Sequence, residues 1–176
     1  MKRIFCLIAI LFASQIQAGS NSVNGVLWVQ NRENKISAWV ISDILAQKPN
    51  AKVLFGTHLK PVKDYWLEPL FGVNLTDNSI AEILGFKSNW TGSKYINVWL
   101  EGELADYSQA PGLGWSLYLM VYAPVKNWLD IGVETSIDKN NFLFGGHMLI
   151  PLNKVVTLVP HYQERGRVFV DVFIGL

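Results

Sequence analysis

An all-β chain, folded as an antiparallel up-and-down transmembrane β-barrel, is predicted by three observations. Apolar residues recur at alternate positions through many short segments, each close to the roughly 9 to 11 residues with which a tilted strand crosses a bilayer. Charged residues make up only 16% of the chain, against about 25% in an ordinary soluble domain. Within the segments those charges take the parity opposite to the aliphatic residues. In the last strand Val168, Val170, Val172, Ile174 and Leu176 fall on one side, with Arg167, Phe169, Asp171, Phe173 and Gly175 on the other. Asn127 to Ile137 repeats the arrangement, with Leu129, Ile131, Val133 and Ile137 opposite Asp130, Gly132, Glu134 and Ser136. The chain is half apolar, yet after residue 18 no continuous apolar run is long enough for a membrane helix. Its apolarity is spread over alternating segments, as a barrel wall facing lipid requires.

The first residues give an address. Lys2 and Arg3 precede an apolar run from Ile4 to Ala13, and small and polar residues follow to Ser20. This is the order of a secretory signal peptide, 1–18, with cleavage expected after Ala18 and a second candidate site after Ser20. Cys6 leaves with the signal, so the mature chain, 19–176, has no cysteine for a disulfide or thiolate metal site. It carries 13 lysines and arginines against 14 acids, a net charge of −1. No strong attraction to nucleic acid follows from that balance. The remaining length suits one domain, a single β-barrel.

Taken in order, Ser22 to Gln30 sets Val23, Leu27 and Val29 opposite Asn24, Trp28 and Gln30. Ile36 to Leu45 reads as a strand, although Ile36, Val40 and Ile44 also recur at helical spacing. Ala51 to Leu59 places Val53, Phe55 and Leu59 opposite Lys52, Leu54 and His58. In Trp66 to Leu75 the outward set is Leu67, Phe71, Val73 and Leu75, and the inward set Glu68, Gly72 and Asn74. Ile80 to Lys87 is ambiguous, because Ser79 and Glu82 fit a capping box and Gly85 a helix stop. Lys94 to Ala105 and Gly114 to Ala123 resume the alternation, separated by a loop containing Gln109-Ala110-Pro111-Gly112. Four strands with tight turns complete the chain from Asn127.

These segments make eleven candidates, and bacterial single-chain barrels use an even number with both termini on the periplasmic side. Ten wall strands are therefore expected, with Ser22 to Gln30 left out and eight strands as the alternative. Counting back from the C-terminus makes the turns near Leu152, Lys126, Gly92 and Val62 periplasmic. An aromatic girdle of Tyr65, Trp66, Trp90, Tyr95 and Trp128 is then expected at that rim, where amphipathic rings favour the interface.

At Val168 to Leu176 the chain resembles the closing strand of small bacterial outer-membrane β-barrel proteins, in which alternate apolar residues counted from the last form a signal for the assembly machinery. Leu176 stands in place of the family's usual terminal aromatic residue, and Asp171 where many members have glycine. The resemblance implies an integral outer-membrane protein of a Gram-negative cell, or of a phage infecting one. Outer-membrane lipid and the barrel-assembly machinery are the implied partners.

The inward parity collects Glu68, Glu101, Glu103, Asp130, Glu134, His147, His161, Arg167 and Asp171, together with Lys52 and His58. In a narrow lumen such groups are expected to pair, because an unpaired charge out of water is expensive. No metal or cofactor is expected from this set: Glu101 and Glu103 share a face without a second cluster of known proximity. The function expected is a structural or surface-interaction role without catalysis. One alternative is a soluble periplasmic lipocalin-like barrel with an apolar interior. The other is a lipid-modifying enzyme. Deacylase and phospholipase barrels place a serine two residues after the catalytic histidine, whereas His58, His147 and His161 are followed there by Lys60, Leu149 and Gln163. Lys63-Asp64-Tyr65-Trp66 faintly resembles a segment of the palmitoyl-transferring barrels, with Tyr65 where their serine stands.

Overall fold

Alternation dictates strand, and every candidate segment forms one. The computed structural model describes residues 22–31, 35–43, 50–76, 79–107 and 113–176. The segment expected to be a signal peptide, 1–18, and the loop containing Gln109 to Gly112 thus lie outside the described residues. The strands are β1 (Ser22–Asn31), β2 (Ile36–Asp43), β3 (Asn50–Thr57), β4 (Leu59–Val62), β5 (Tyr65–Thr76) and β6 (Ser79–Trp90). They continue with β7 (Asn97–Tyr107), β8 (Leu113–Lys126), β9 (Leu129–Asp138), β10 (Phe142–Pro151), β11 (Val156–Gln163) and β12 (Arg167–Gly175). The segment with helix signals, Ile80 to Lys87, lies within a strand of 12 residues that pairs on both sides with long neighbours. Those two ladders satisfy its backbone groups, and tertiary pairing overrides the local capping signal.

Neighbouring strands pair antiparallel from β5 to β12 and from β1 to β3, and pairing of β3 with β5 closes the cylinder. Among the described residues eleven strands form the wall, and the short β4 is the twelfth. β3 and β4 share one wall position, since both pair with β5 and are separated by His58. The His58 N–H donates instead to the Lys35 carbonyl at 2.7 Å. The expected count of ten is therefore corrected to eleven: Ser22 to Gln30 belongs to the wall as β1, beside β12.

An odd number of strands cannot alternate in direction all the way round, so one seam must be parallel. It lies between β1 and β12, from Ser22 opposite Phe169 to Trp28 opposite Gly175. The Gln30 N–H donates to the Leu176 carbonyl at 3.1 Å, and the Leu176 N–H to the Trp28 carbonyl at 2.9 Å. Parallel direction also places Ser22 and Leu176 at opposite rims, which corrects the expectation that both ends of the wall lie on one side.

The wall separates residue types as parity requires. Phe71, Ile80, Leu84 and Tyr162 on the outside are each more than 60% exposed, whereas Glu68, Lys87, Glu134, His147 and His161 on the inside are each below 5%. A soluble carrier with a greasy interior needs the reverse, and a surface with so many large apolar side chains suits hydrocarbon. The lumen also holds a small apolar core of Val26, Trp39, Leu54, Leu70, Ile83 and Ala105.

Closure depends on small residues between β3 and β5. A Cβ at Gly72 would strike the Val53 carbonyl oxygen and the Leu54 Cα, both backbone atoms. Gly72→Val is therefore expected to destabilise the barrel by about 1–3 kcal/mol through overpacking and to lower the refolding yield. A methyl at Gly146 meets only the Gly132 oxygen at 3.5 Å, so Gly146→Ala should refold normally. Gel mobility before and after boiling reads the folded fraction, and normal refolding of Gly72→Val would remove the close approach as the closing constraint.

Candidate functional site in the barrel lumen

Inward-facing charges assemble into clusters because each strand contributes polar groups at alternate positions along adjoining walls. In the first cluster Glu68 is fully buried. Its Oε1 lies 2.7 Å from His58 Nδ1, and its Oε2 accepts a 2.6 Å hydrogen bond from Trp39 Nε1. A second group joins β3, β6 and β7. Lys52 Nζ lies 2.5 Å from Glu103 Oε2, Lys87 pairs with Glu101, and Trp99 Nε1 donates to Glu101 Oε1 at 2.6 Å. Register explains part of this, since Lys87 stands directly opposite both Glu68 and Glu101.

Glu134 centres the third cluster. Its Oε2 accepts from Tyr118 Oη at 2.7 Å and lies 2.6 Å from His161 Nδ1 and 3.3 Å from His147 Nδ1. Its Oε1 accepts from Gln163 Nε2 at 2.8 Å. His147 and His161 face each other across β10 and β11. Asp171 extends the cluster, accepting from Asn24 at 2.9 Å and lying 3.4 Å from His161 Nε2. All three histidines sit on the lumenal face, turned away from the surface that bilayer lipid would touch.

Seven of the nine expected network residues come together: Glu68, Glu101, Glu103, Glu134, His147, His161 and Asp171. The other two do not. Asp130 is near the end of β9 at the C-terminal rim, and Arg167 is exposed where β12 begins at the opposite rim. Among the described residues neither has an ion pair. Lys87, Trp39, Tyr118, Gln163 and Asn24 are members that sequence reasoning did not single out as such. Lys87 follows Ala81, Ile83 and Gly85 in parity, a signal obscured by the helix-like reading of that segment.

The girdle needs one correction. Tyr65, Trp90, Tyr95 and Trp128 gather at the C-terminal rim, with Tyr65 directly opposite Trp90. Trp66 follows Tyr65 along the same strand, so the pleat turns it inward. Its ring lies 5.3 Å from His58 and 5.2 Å from Trp99, measured between centroids.

Trp66 is instead part of a tryptophan partition. Trp28 stacks on Trp39 at 5.3 Å and on Trp66 at 5.9 Å, both at interplanar angles of 18°. Trp99 meets Trp39 and Trp66 edge-on, at 73° and 83°. Phe173 packs 5.7 Å from Trp39, and the Lys87 ammonium stands 4.9 Å from the Trp39 ring centre. On one side lies a cavity of about 490 Å³ whose lining includes Trp39, Trp99, Tyr118, Lys52, Lys87 and Asp171. On the other lies a cavity of about 500 Å³ lined by Trp28, Gln30, Lys35, His58, Lys60 and Trp66. Two of the four indoles, Trp39 and Trp99, thus face the first chamber, and the other two, Trp28 and Trp66, face the second.

Glu134 is expected to hold the third cluster. Glu134→Ala would leave its buried partners without their acceptor and cost about 3–5 kcal/mol, the usual penalty for breaking a buried pair. Glu134→Gln keeps one acceptor oxygen and should cost less, while Arg167→Ala should stay within about 0.5 kcal/mol. Urea unfolding in detergent micelles measures all three, and equal stabilities would contradict the assignment.

No family model matches the chain, and no curated protein matches it. Two solved structures share its architecture. One, described as a KdgM porin in complex with disordered oligogalacturonate, is 11% identical with a TM-score of 0.63, over 80% of this chain and 82% of that one. The other, a NanC porin, is 11% identical with a TM-score of 0.59, over 83% and 81%. At that identity the likeness concerns fold: the chain has the closed-barrel architecture of small bacterial outer-membrane β-barrel proteins.

Proposed function

We propose that this protein is a narrow outer-membrane channel for small hydrophilic solutes. The observation that carries the reading is the pair of lumenal chambers approaching one tryptophan partition from opposite sides. A barrel serving only as a scaffold has no need of open space with charged groups in its walls on both sides of so thin an obstruction. The charges support the same reading, since paired groups lining water can exchange partners with a passing solute, whereas a dry ionic core is held for structure alone. The description of both structural relatives as porins agrees with it. Insertion would follow export by the signal peptide and delivery to the barrel-assembly machinery, with outer-membrane lipid against the aliphatic face.

The lumenal apolar core favours a second reading, a sealed barrel with a structural or surface-interaction role. Planar-bilayer recording separates the two. A channel gives small unitary currents, and the double variant Trp39→Ala with Trp66→Ala, which removes two indoles from the partition, should raise them several-fold. Silence from both proteins, each shown to be folded by its heat-dependent gel mobility, would leave the sealed barrel.

A further inference from the structure

The chambers on either side of the partition differ in fixed charge. The first, with the groups bonded directly to its lining, holds Lys52 and Lys87 against Glu101, Glu103, Glu134 and Asp171. Two cations against four carboxylates leave −2, and protonating both His147 and His161 raises this only to zero. The second holds Lys35 and Lys60 against Glu68, which stands behind His58 and also accepts from Trp39, so that counting it with the first chamber as well only makes that chamber more negative. That leaves the second at +1, or +2 if His58 is protonated. The first chamber is therefore never positive and the second never negative, whatever the histidines do.

The rim beyond the second chamber has the same sign. Lys63, Lys94, Lys126 and Lys154 are exposed in or beside its turns, and so are Lys35 and Lys60. Against these six lysines the described residues of that rim set the exposed Asp64 and the half-buried Asp130.

We infer that the lumen is a bipolar ion passage, with cations favoured in the Glu101–Asp171 chamber, anions favoured in the Lys35–Lys60 chamber, and conduction easier in one direction than in the other. The inference rests on the channel reading and adds a direction to it. Charged linings within low-dielectric walls focus the field and select mobile ions of opposite sign. A voltage that drives cations from the acidic chamber towards the lysines draws each ion in through the end that favours it. Both species then accumulate at the tryptophans. Reversing the voltage withdraws both and depletes the same region. Zwitterionic solutes suit such a lumen, their ammonium end held by the acids and aromatic faces and their carboxylate end by the lysines.

The test is the current-voltage curve of the full mature chain in planar bilayers, for the wild type and for the Trp39→Ala, Trp66→Ala variant. In symmetrical 0.1 M KCl, where the screening length is about 10 Å, the current should be about twofold larger when cations run from the acidic chamber to the lysine rim. The asymmetry should fade in 1 M KCl, where screening shortens to about 3 Å. Orientation is read with Lys154→Cys, labelled from one compartment. The mature chain has no other cysteine, because Cys6 belongs to the signal.

Lys35→Asn with Lys60→Gln, both at exposed positions, should return the ratio towards one and shift the reversal potential in a KCl gradient towards that of potassium. A conducting pore with a linear curve at 0.1 M, or an asymmetry untouched by the lysine substitutions, overturns the inference and leaves the channel reading intact. Absence of current from every variant removes the channel reading, and this inference with it.

Discussion

A charge that strand alternation turns into the middle of this barrel has to find its partner there. The outer face is aliphatic, as contact with hydrocarbon would require, and the pleat sends every second side chain into a narrow lumen. There a carboxylate such as Glu68 or Glu134 is too buried for water to solvate. Glu68 is held by His58 and Trp39, Glu134 by Tyr118, His161 and Gln163. These partners come from different strands, so the polar clusters tie together parts of the wall that share no backbone ladder. Lys52 on β3 reaches Glu103 on β7 in the same way. Pairing therefore sets the relative placement of strands as well as compensating desolvation.

Much of this was legible because parity is a local property. Val168 to Leu176, Asn127 to Ile137 and Lys94 to Ala105 show their two faces without knowledge of their neighbours, and the acids on them were assigned inward from sequence. Pairing is different, since it depends on register and curvature. Nothing near Glu103 in the chain indicates that its partner is Lys52, and nothing near Glu134 points to Gln163. Asp130 and Arg167 show the converse limit: each has inward parity, but each stands near the end of a strand where water already solvates it. Trp66 lies beside a turn, as girdle residues do, but its alternation with Tyr65 decides its side and turns it inward. The helix-like reading of Ile80 to Lys87 hid Lys87, the cation opposite two acids.

The strand count was missed for a different reason. An even number is a rule for barrels whose last strand pairs antiparallel with the first, and alternation within Ser22 to Gln30 carries no information about direction. Only the ladder to Phe169 through Gly175 reveals a parallel neighbour. Parallel pairing is slightly less favourable per residue. It is nonetheless continuous over seven registered pairs, and Asn24 adds a side-chain bond to Asp171 across the seam.

That additional strand explains the obstruction in the lumen. A wall of ten strands would be narrower and would lack Trp28, because Trp28 is carried by β1. With β1 in place the cylinder widens, and Trp28 stands opposite Trp39 in the adjoining ladder, close enough to stack on both Trp39 and Trp66. The strand that enlarges the bore thus supplies the ring that bridges it. Trp39 and Trp99 donate to the same carboxylates that pair with His58 and Lys87, so the partition is anchored to the polar clusters at its edges. Moving those rings disturbs the charge pairing, and altering the charges frees the rings. Bore and charge pattern in this barrel are consequently one coupled property.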